Sequence, residues 1–173
     1  MSVDREKQAI GFITVCEQDA GAFGGYLLLN AAGRPIEFHC TTPVKANRAQ
    51  EILYGPTLAP YLYGELIGAS LVTKSKLRPD WIVTDHVAVL AIRETIDLPV
   101  ACLVTSPVED LTVTESIDLD CFQVVTAGRY REDLGLVKNL WEERAVDFDL
   151  SEPFDRIRNA IQEAQRARGN RAA

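Results

Sequence analysis

Histidine is scarce in this 173-residue chain, which has only His39 and His86. Two histidines exclude a histidine-rich metal centre. The four cysteines, Cys16, Cys40, Cys102 and Cys121, form no CxxC pair, so the usual zinc spacing is missing. Each lies in or beside an apolar run expected to be a strand, and the expectation is buried, reduced thiols in a cytoplasmic protein. Apolar runs reach only about ten residues, too short to cross a bilayer. Residues 1–8 are polar, with Asp4, Arg5, Glu6 and Lys7, and no apolar stretch of the signal-peptide kind follows. No membrane association is expected. Also missing are GxGxxG, GxxxxGK[ST], GxSxG and HExxH, so nucleotide-binding and common hydrolase chemistries lose their usual markers.

What is present is ordinary globular composition, 47% hydrophobic and 25% charged, in a length that suits one domain. The charge is −7, which argues against a broad electrostatic grip on nucleic acid or anionic lipid. It is unevenly spread. Residues 109–120 hold Glu109, Asp110, Glu115, Asp118 and Asp120, whereas Arg156, Arg158, Arg166, Arg168 and Arg171 gather near the end. A local phosphate contact therefore stays open, beside the plainer reading of a solvated helix face.

Residues 9–16 are apolar on both alternating faces, as in a strand covered on both sides. Residues 19–25 read as a turn-rich break, 26–30 as a second strand and 35–41 as a third, with Gly33 supplying a positive φ between them. Short connections make these an antiparallel meander. Thr42-Pro43 predicts a helix start, with the helix reaching Tyr54. A second helix is expected from Thr57, its core stripe carrying Leu58, Leu62 and Leu66 with Tyr61, Ile67 and Leu71. Residues 81–85 and 99–105 read as strands with a short helix between them, a βαβ crossover that implies parallel pairing. Residues 106–120 read as acidic turns and 121–126 as another strand. Helices follow at 131–144 and from Ser151, the last burying Phe154, Ile157, Ile161 and Ala164. The expected whole is a flexible segment 1–8, one α/β domain 9–168 with a mixed sheet and helices on both faces, and a flexible tail 169–173.

Three groups of residues carry a family resemblance within this order. Gly24-Gly25-Tyr26 opens the second strand, Asn47-Arg48-Ala49-Gln50-Glu51 lies in a helix, and Thr84-Asp85 ends the fourth strand. Over residues 9–105 the chain resembles the ribonuclease H-like superfamily. That resemblance implies carboxylates from the first strand, first helix and fourth strand, converging on two divalent metals. Mg²⁺ suits such oxygen ligands. Asp85 meets the fourth-strand position. Gln50 and Cys16 occupy the other two, with Glu51 and Glu17 one residue on. A one-residue shift turns a strand side chain to the other face and a helix side chain by about a quarter turn.

The candidate catalytic and metal-ligating set is therefore Asp85, Glu51 and Glu17, with Asp19 beside it. Each has a plainer reading: Asp85 as the N-cap of the next helix, Glu51 as a solvated charge, and Glu17 and Asp19 as turn residues. His86 with Asp85 is a conceivable acid/base pair, and His39 with Cys16 or Cys40 a conceivable nucleophile pair. Tyr54, Tyr61 and Tyr63 suit either an interface wall or core packing. The incomplete carboxylate set leads to a non-catalytic or weakly catalytic module acting through a protein partner or self-association. The alternative is a Mg²⁺-dependent nuclease, with nucleic acid as partner.

Overall fold

The computed structural model describes residues 8–105, 115–144, 147 and 149–171. Among the described residues seven strands form one sheet: β1 (Ala9–Gln18), β2 (Gly21–Asn30), β3 (Pro35–Cys40), β4 (Trp81–Thr84), β5 (Val100–Leu103), β6 (Ser116–Leu119) and β7 (Phe122–Val125). Their spatial order is β3-β2-β1-β4-β5-β7-β6. The meander β1–β2–β3 is antiparallel, and β1, β4 and β5 run parallel, both as the sequence predicts.

Helices cover both faces of this mixed sheet. One face carries a π-type helix, Pro60–Gly68, continued by α2 (Ala69–Lys74), and a 3₁₀ segment, Val87–Glu94. Their side chains join Ile13, Tyr26, Leu28, Ile82 and Val100 in one apolar layer. The other face carries α3 (Asp133–Glu142) and α4 (Glu152–Arg171), packed on Phe12, Leu27, Trp81 and Val83. The expected stripe of α4 is buried at Phe154, Ile157 and Ile161, with Phe154 edge-on to Phe12 at 5.6 Å. A fully buried side chain of this size contributes roughly 1.5–3 kcal/mol.

Gly24 and Gly25 seat both layers. A β-carbon at Gly24 would stand 2.0 Å from Ile67 Cγ2 on one face, and one at Gly25 would stand 2.1 Å from Ile157 Cγ2 on the other. Two adjacent residues without side chains thus let a helix rest on bare backbone from each side of β2. The same pair corrects the expected break at 19–25, because β2 already begins at Gly21.

Other differences from the sequence expectation have local causes. Residues 42–46 form no helix, because Val44 exchanges two 2.8 Å backbone hydrogen bonds with Ala22. The helix α1 (Arg48–Tyr54) starts instead at Asn47, whose side chain and Gln50 form a reciprocal capping box. In the π-type helix, Leu62 and Ile67 are buried and Leu66 is 38% exposed. Leu58, Tyr61 and Leu71 of the expected stripe also pack in this core, and Leu66 is the one member that turns out, as the π-type helix widens its turn. β6 falls where acidic turns were expected. It pairs with β7 across a turn in which Asp120 takes φ 57°, and that turn places Cys121 in solvent rather than in a strand. Gly33 has the expected positive φ, 73°. α4 runs through Arg171. Residues 1–7 of the expected flexible N-terminus and 106–114 of the acidic stretch lie outside the described residues. Among the described residues no helix is long and apolar enough to cross a membrane.

Candidate functional site at the strand ends

β1 and β4 lie side by side with Ile13 opposite Thr84. Asp85 follows the last residue of β4, at the carboxyl edge where parallel sheets open their crevices. Its carboxylate is held from two directions. Thr14 Oγ1 donates to Oδ1 at 2.7 Å, and an Arg158 Nη2 N–H donates to Oδ2. Arg158 comes from α4 and also donates to Asp155 at 3.1 Å. The Asp85 side chain is 11% exposed and that of Arg158 41%.

Cys16 lies two residues beyond Thr14 on the same strand, within the field of this pair. Burial raises its thiol pKa, the Arg158 charge opposes the shift, and the Asp85 charge adds to it. Burial pushes the Cys102 thiol up to about 12, with Asp85 contributing. Both thiols hold their protons at neutral pH, which leaves them poor nucleophiles.

Glu17, the next residue along β1, turns to the opposite face. The buried Tyr63 of the π-type helix donates its phenolic O–H to Glu17 Oε1. The Tyr63 ring also stands edge-on to His86, centroids 4.9 Å apart and planes at 87°. His86 Nδ1 accepts the Ala88 N–H at 3.3 Å and so caps the 3₁₀ segment. The cap expected of Asp85 therefore belongs to His86. The two neighbours diverge, Asp85 toward α4 and His86 toward Tyr63, and are not joined as an acid/base pair.

Glu51 lies on exposed α1 and pairs with Arg48 at 3.0 Å. Asp19 sits exposed in the β1–β2 turn. The three candidate carboxylates thus have three separate settings: Asp85 under α4, Glu17 against Tyr63 and Glu51 beside Arg48. Among the described residues, no group of three or more His, Cys, Asp and Glu side chains could hold a metal ion. The residues do not fit the carboxylate-bound Mg²⁺ that the resemblance implies.

His39 is hydrogen-bonded through Nε2 to Glu37 at 2.9 Å and stacks on Tyr26 at 6.3 Å. Cys16 and Cys40 pack with the apolar layer on the other face, away from His39, so the expected nucleophile pairs are not assembled. Tyr54 stacks on Tyr61 at 4.2 Å, while Tyr63 is committed to the strand edge. Of the clustered arginines, Arg156 and Arg166 pair with Glu152 and Glu163 on their own helix. Thr14, Arg158 and Tyr63 complete the site and were not assigned to it from sequence. Thr14 carried a signal, as a hydroxyl inside an otherwise apolar buried strand. Arg158 carried none, because nothing local distinguishes it from the other arginines of α4.

No protein-family profile matches the chain, and no curated protein matches it. Among solved structures it is similar to a protein of unknown function from Archaeoglobus fulgidus. The TM-score is 0.56 at 15% identity, covering 91% of this chain and 98% of that one. That likeness is one of fold alone. It also matches endonuclease V from Bacillus subtilis with a TM-score of 0.45 at 10% identity, over 73% of this chain and 68% of that one. At that score the match says nothing about activity. The chain is an α/β protein built on one mixed sheet, seven-stranded among the described residues.

Proposed function

We propose that this protein is a non-catalytic α/β module with a ribonuclease H-like strand order that acts through protein contact. The observation that carries this reading is the dispersal of the three carboxylates. Phosphodiester hydrolysis on paired metals needs convergent oxygen ligands. Here Asp85 is neutralised by Arg158, Glu17 accepts from Tyr63 on the other face, and Glu51 is paired on a separate helix. Asp85 thus has its partner cation within the chain, and the Cys16 and Cys102 thiols are protonated. The net charge of −7 further disfavours an extended nucleic-acid groove.

The test is hydrolysis of single- and double-stranded DNA and RNA by the full chain with Mg²⁺ or Mn²⁺. The expected result is no cleavage above buffer, with Asp85→Asn and Glu17→Gln indistinguishable from wild type. Metal-dependent cleavage that Asp85→Asn abolishes would overturn the proposal in favour of a nuclease.

A further inference from the structure

Lys74, Lys76 and Arg78 stand on alternate residues where α2 ends, on a chain of net −7. Among the described residues most other arginines are paired with a carboxylate, as Arg93 is with Asp133 and Arg158 with Asp85. None of these three cations has such a pair there. Lys76 and Arg78 line a cleft of about 360 Å³ at the amino ends of β4 and β5, the end of the sheet away from Asp85. Its apolar lining is Pro79 and Leu98, both buried, with Val72 and Ile96 half-buried and Leu77 exposed. The cleft is held in shape by its own chain. Glu37 accepts the Lys76 and Leu77 N–H groups at 3.0 and 2.9 Å, and Ser75 Oγ donates to the Leu77 carbonyl at 2.8 Å. Arg78 Nη2 donates to the Asp97 carbonyl at 2.6 Å, which ties this segment to the turn before β5. The Nε and Nη1 groups of Arg78 are left without a partner among the described residues. Asp97 also lines the cleft, but its carboxylate is 97% exposed and lies 3.8 Å from Arg93, so the two cleft cations stay unmatched.

We infer that this cleft binds a small organic phosphate, its phosphoryl group on Lys76 and Arg78 and its apolar body on Val72, Ile96 and Leu98. Three features select that class. The first is charge. A phosphate monoester carries close to two negative charges at neutral pH, which matches two unpaired cations, whereas a carboxylate carries one. The second is donor geometry. A guanidinium anchored at one nitrogen presents its remaining N–H groups in a fixed fork, and a fork suits the oxygens of a phosphate. The third is size and lining. Small-molecule sites run to roughly 300–1,000 Å³ and combine an apolar wall with a few placed polar groups, as this cleft does. A site shaped before binding loses little entropy on closing around its ligand. This inference goes beyond the protein-contact reading and does not depend on it.

Calorimetric titration of the full chain with phenyl phosphate tests this, with inorganic phosphate, benzoate and phenol as comparison probes. Phenyl phosphate should bind saturably, and added salt should weaken it. Inorganic phosphate, which lacks the apolar body, and benzoate, which lacks the second charge, should each bind weaker by roughly tenfold or more. Arg78→Gln should weaken phenyl phosphate by roughly tenfold, and Lys76→Gln by a similar factor. The Lys76 side chain makes no hydrogen bond to the chain among the described residues, so its removal should leave the thermal midpoint unchanged. Lys45→Gln, which removes an exposed cation beside the β1–β2 turn, should leave binding as in wild type. The assignment is overturned if phenyl phosphate does not saturate at millimolar concentration, or if Lys76→Gln and Arg78→Gln bind it as wild type does. It is overturned equally if benzoate, inorganic phosphate or phenol binds as tightly as phenyl phosphate. None of those results bears on the non-catalytic reading, which falls only to metal-dependent cleavage lost in Asp85→Asn.

Discussion

Asp133 and Asp85 each receive a guanidinium group from a neighbouring element, yet their surroundings differ. Asp133, at the start of α3, is completely buried. Arg93 Nε donates to it at 2.8 Å, and a second guanidinium nitrogen at 3.4 Å. The Val100 N–H adds a third contact at 3.4 Å. Arg93 is itself largely buried, stacked on Tyr130 at 4.4 Å and donating to the Ile96 carbonyl. Asp85 meets an arginine whose side chain reaches solvent, at the open edge of the sheet. Water can replace Arg158 there and cannot replace Arg93. The buried pair therefore ties the 3₁₀ segment and β5 to α3, and the edge pair mainly sets the local charge. One ion-pair chemistry serves as a structural tie in one place and as charge neutralisation in the other.

The comparison is most exposed to Asp133→Ala. Removing it leaves Arg93, itself largely buried, with only the exposed Asp97 at 3.8 Å as a charge partner, and the expected loss is about 3–5 kcal/mol in chemical denaturation. A loss below 1 kcal/mol would show that water reaches the pair after all. Asp85→Asn should cost less, about 1–2 kcal/mol, because it keeps the shape and a Thr14 partner while weakening charge-assisted hydrogen bonds. Should Asp85→Asn match Asp133→Ala, the contrast collapses and the edge pair becomes a structural tie as well.

Glu37 sharpens the comparison from a third side, since it is held without a guanidinium. His39 hydrogen-bonds it, the Lys76 and Leu77 N–H groups donate to it, and Ser75 adds a hydroxyl. These contacts, His39 foremost and with burial opposing, hold its pKa below the ordinary 4.5. A carboxylate with a lowered folded pKa contributes stability above its unfolded pKa and loses it as pH falls through the folded value. The stability difference between wild type and Glu37→Gln should therefore shrink steadily below about pH 4.5 in acid denaturation. A difference independent of pH would mean that the contacts do not depend on the charge.

Much of the architecture was legible because period and punctuation agreed. The β1–β2–β3 meander, the parallel β1–β4–β5 set and the α4 stripe at Phe154, Ile157 and Ile161 all follow from local pattern. The misses share one cause, a distant partner overriding a local preference. Val44 is drawn to the edge of β2 by Ala22, so the Thr42-Pro43 start is not used. Leu66 drops out of the expected stripe because the helix widens, while Leu58, Leu62, Ile67 and Leu71 keep it. The site was less legible than the fold. Asp85 could be placed at a strand end, but its partner Arg158 lies 73 residues away, and no sequence period links them.

By itself the sequence determined the apolar strands, the helix faces and the uneven acidic charge, since these depend on residue type and spacing. Only the tertiary structure decided what each face meets. Ala49, Ile52 and Leu53 have the spacing of a core stripe, and only the path of the chain around them turns that stripe to solvent. Glu17 and Asp85 are the residue types a metal would take. Opposite strand faces, each with its own helix, give them Tyr63 and Arg158 instead. Spacing fixes which side of an element a residue occupies, and the packing of distant elements fixes what stands opposite.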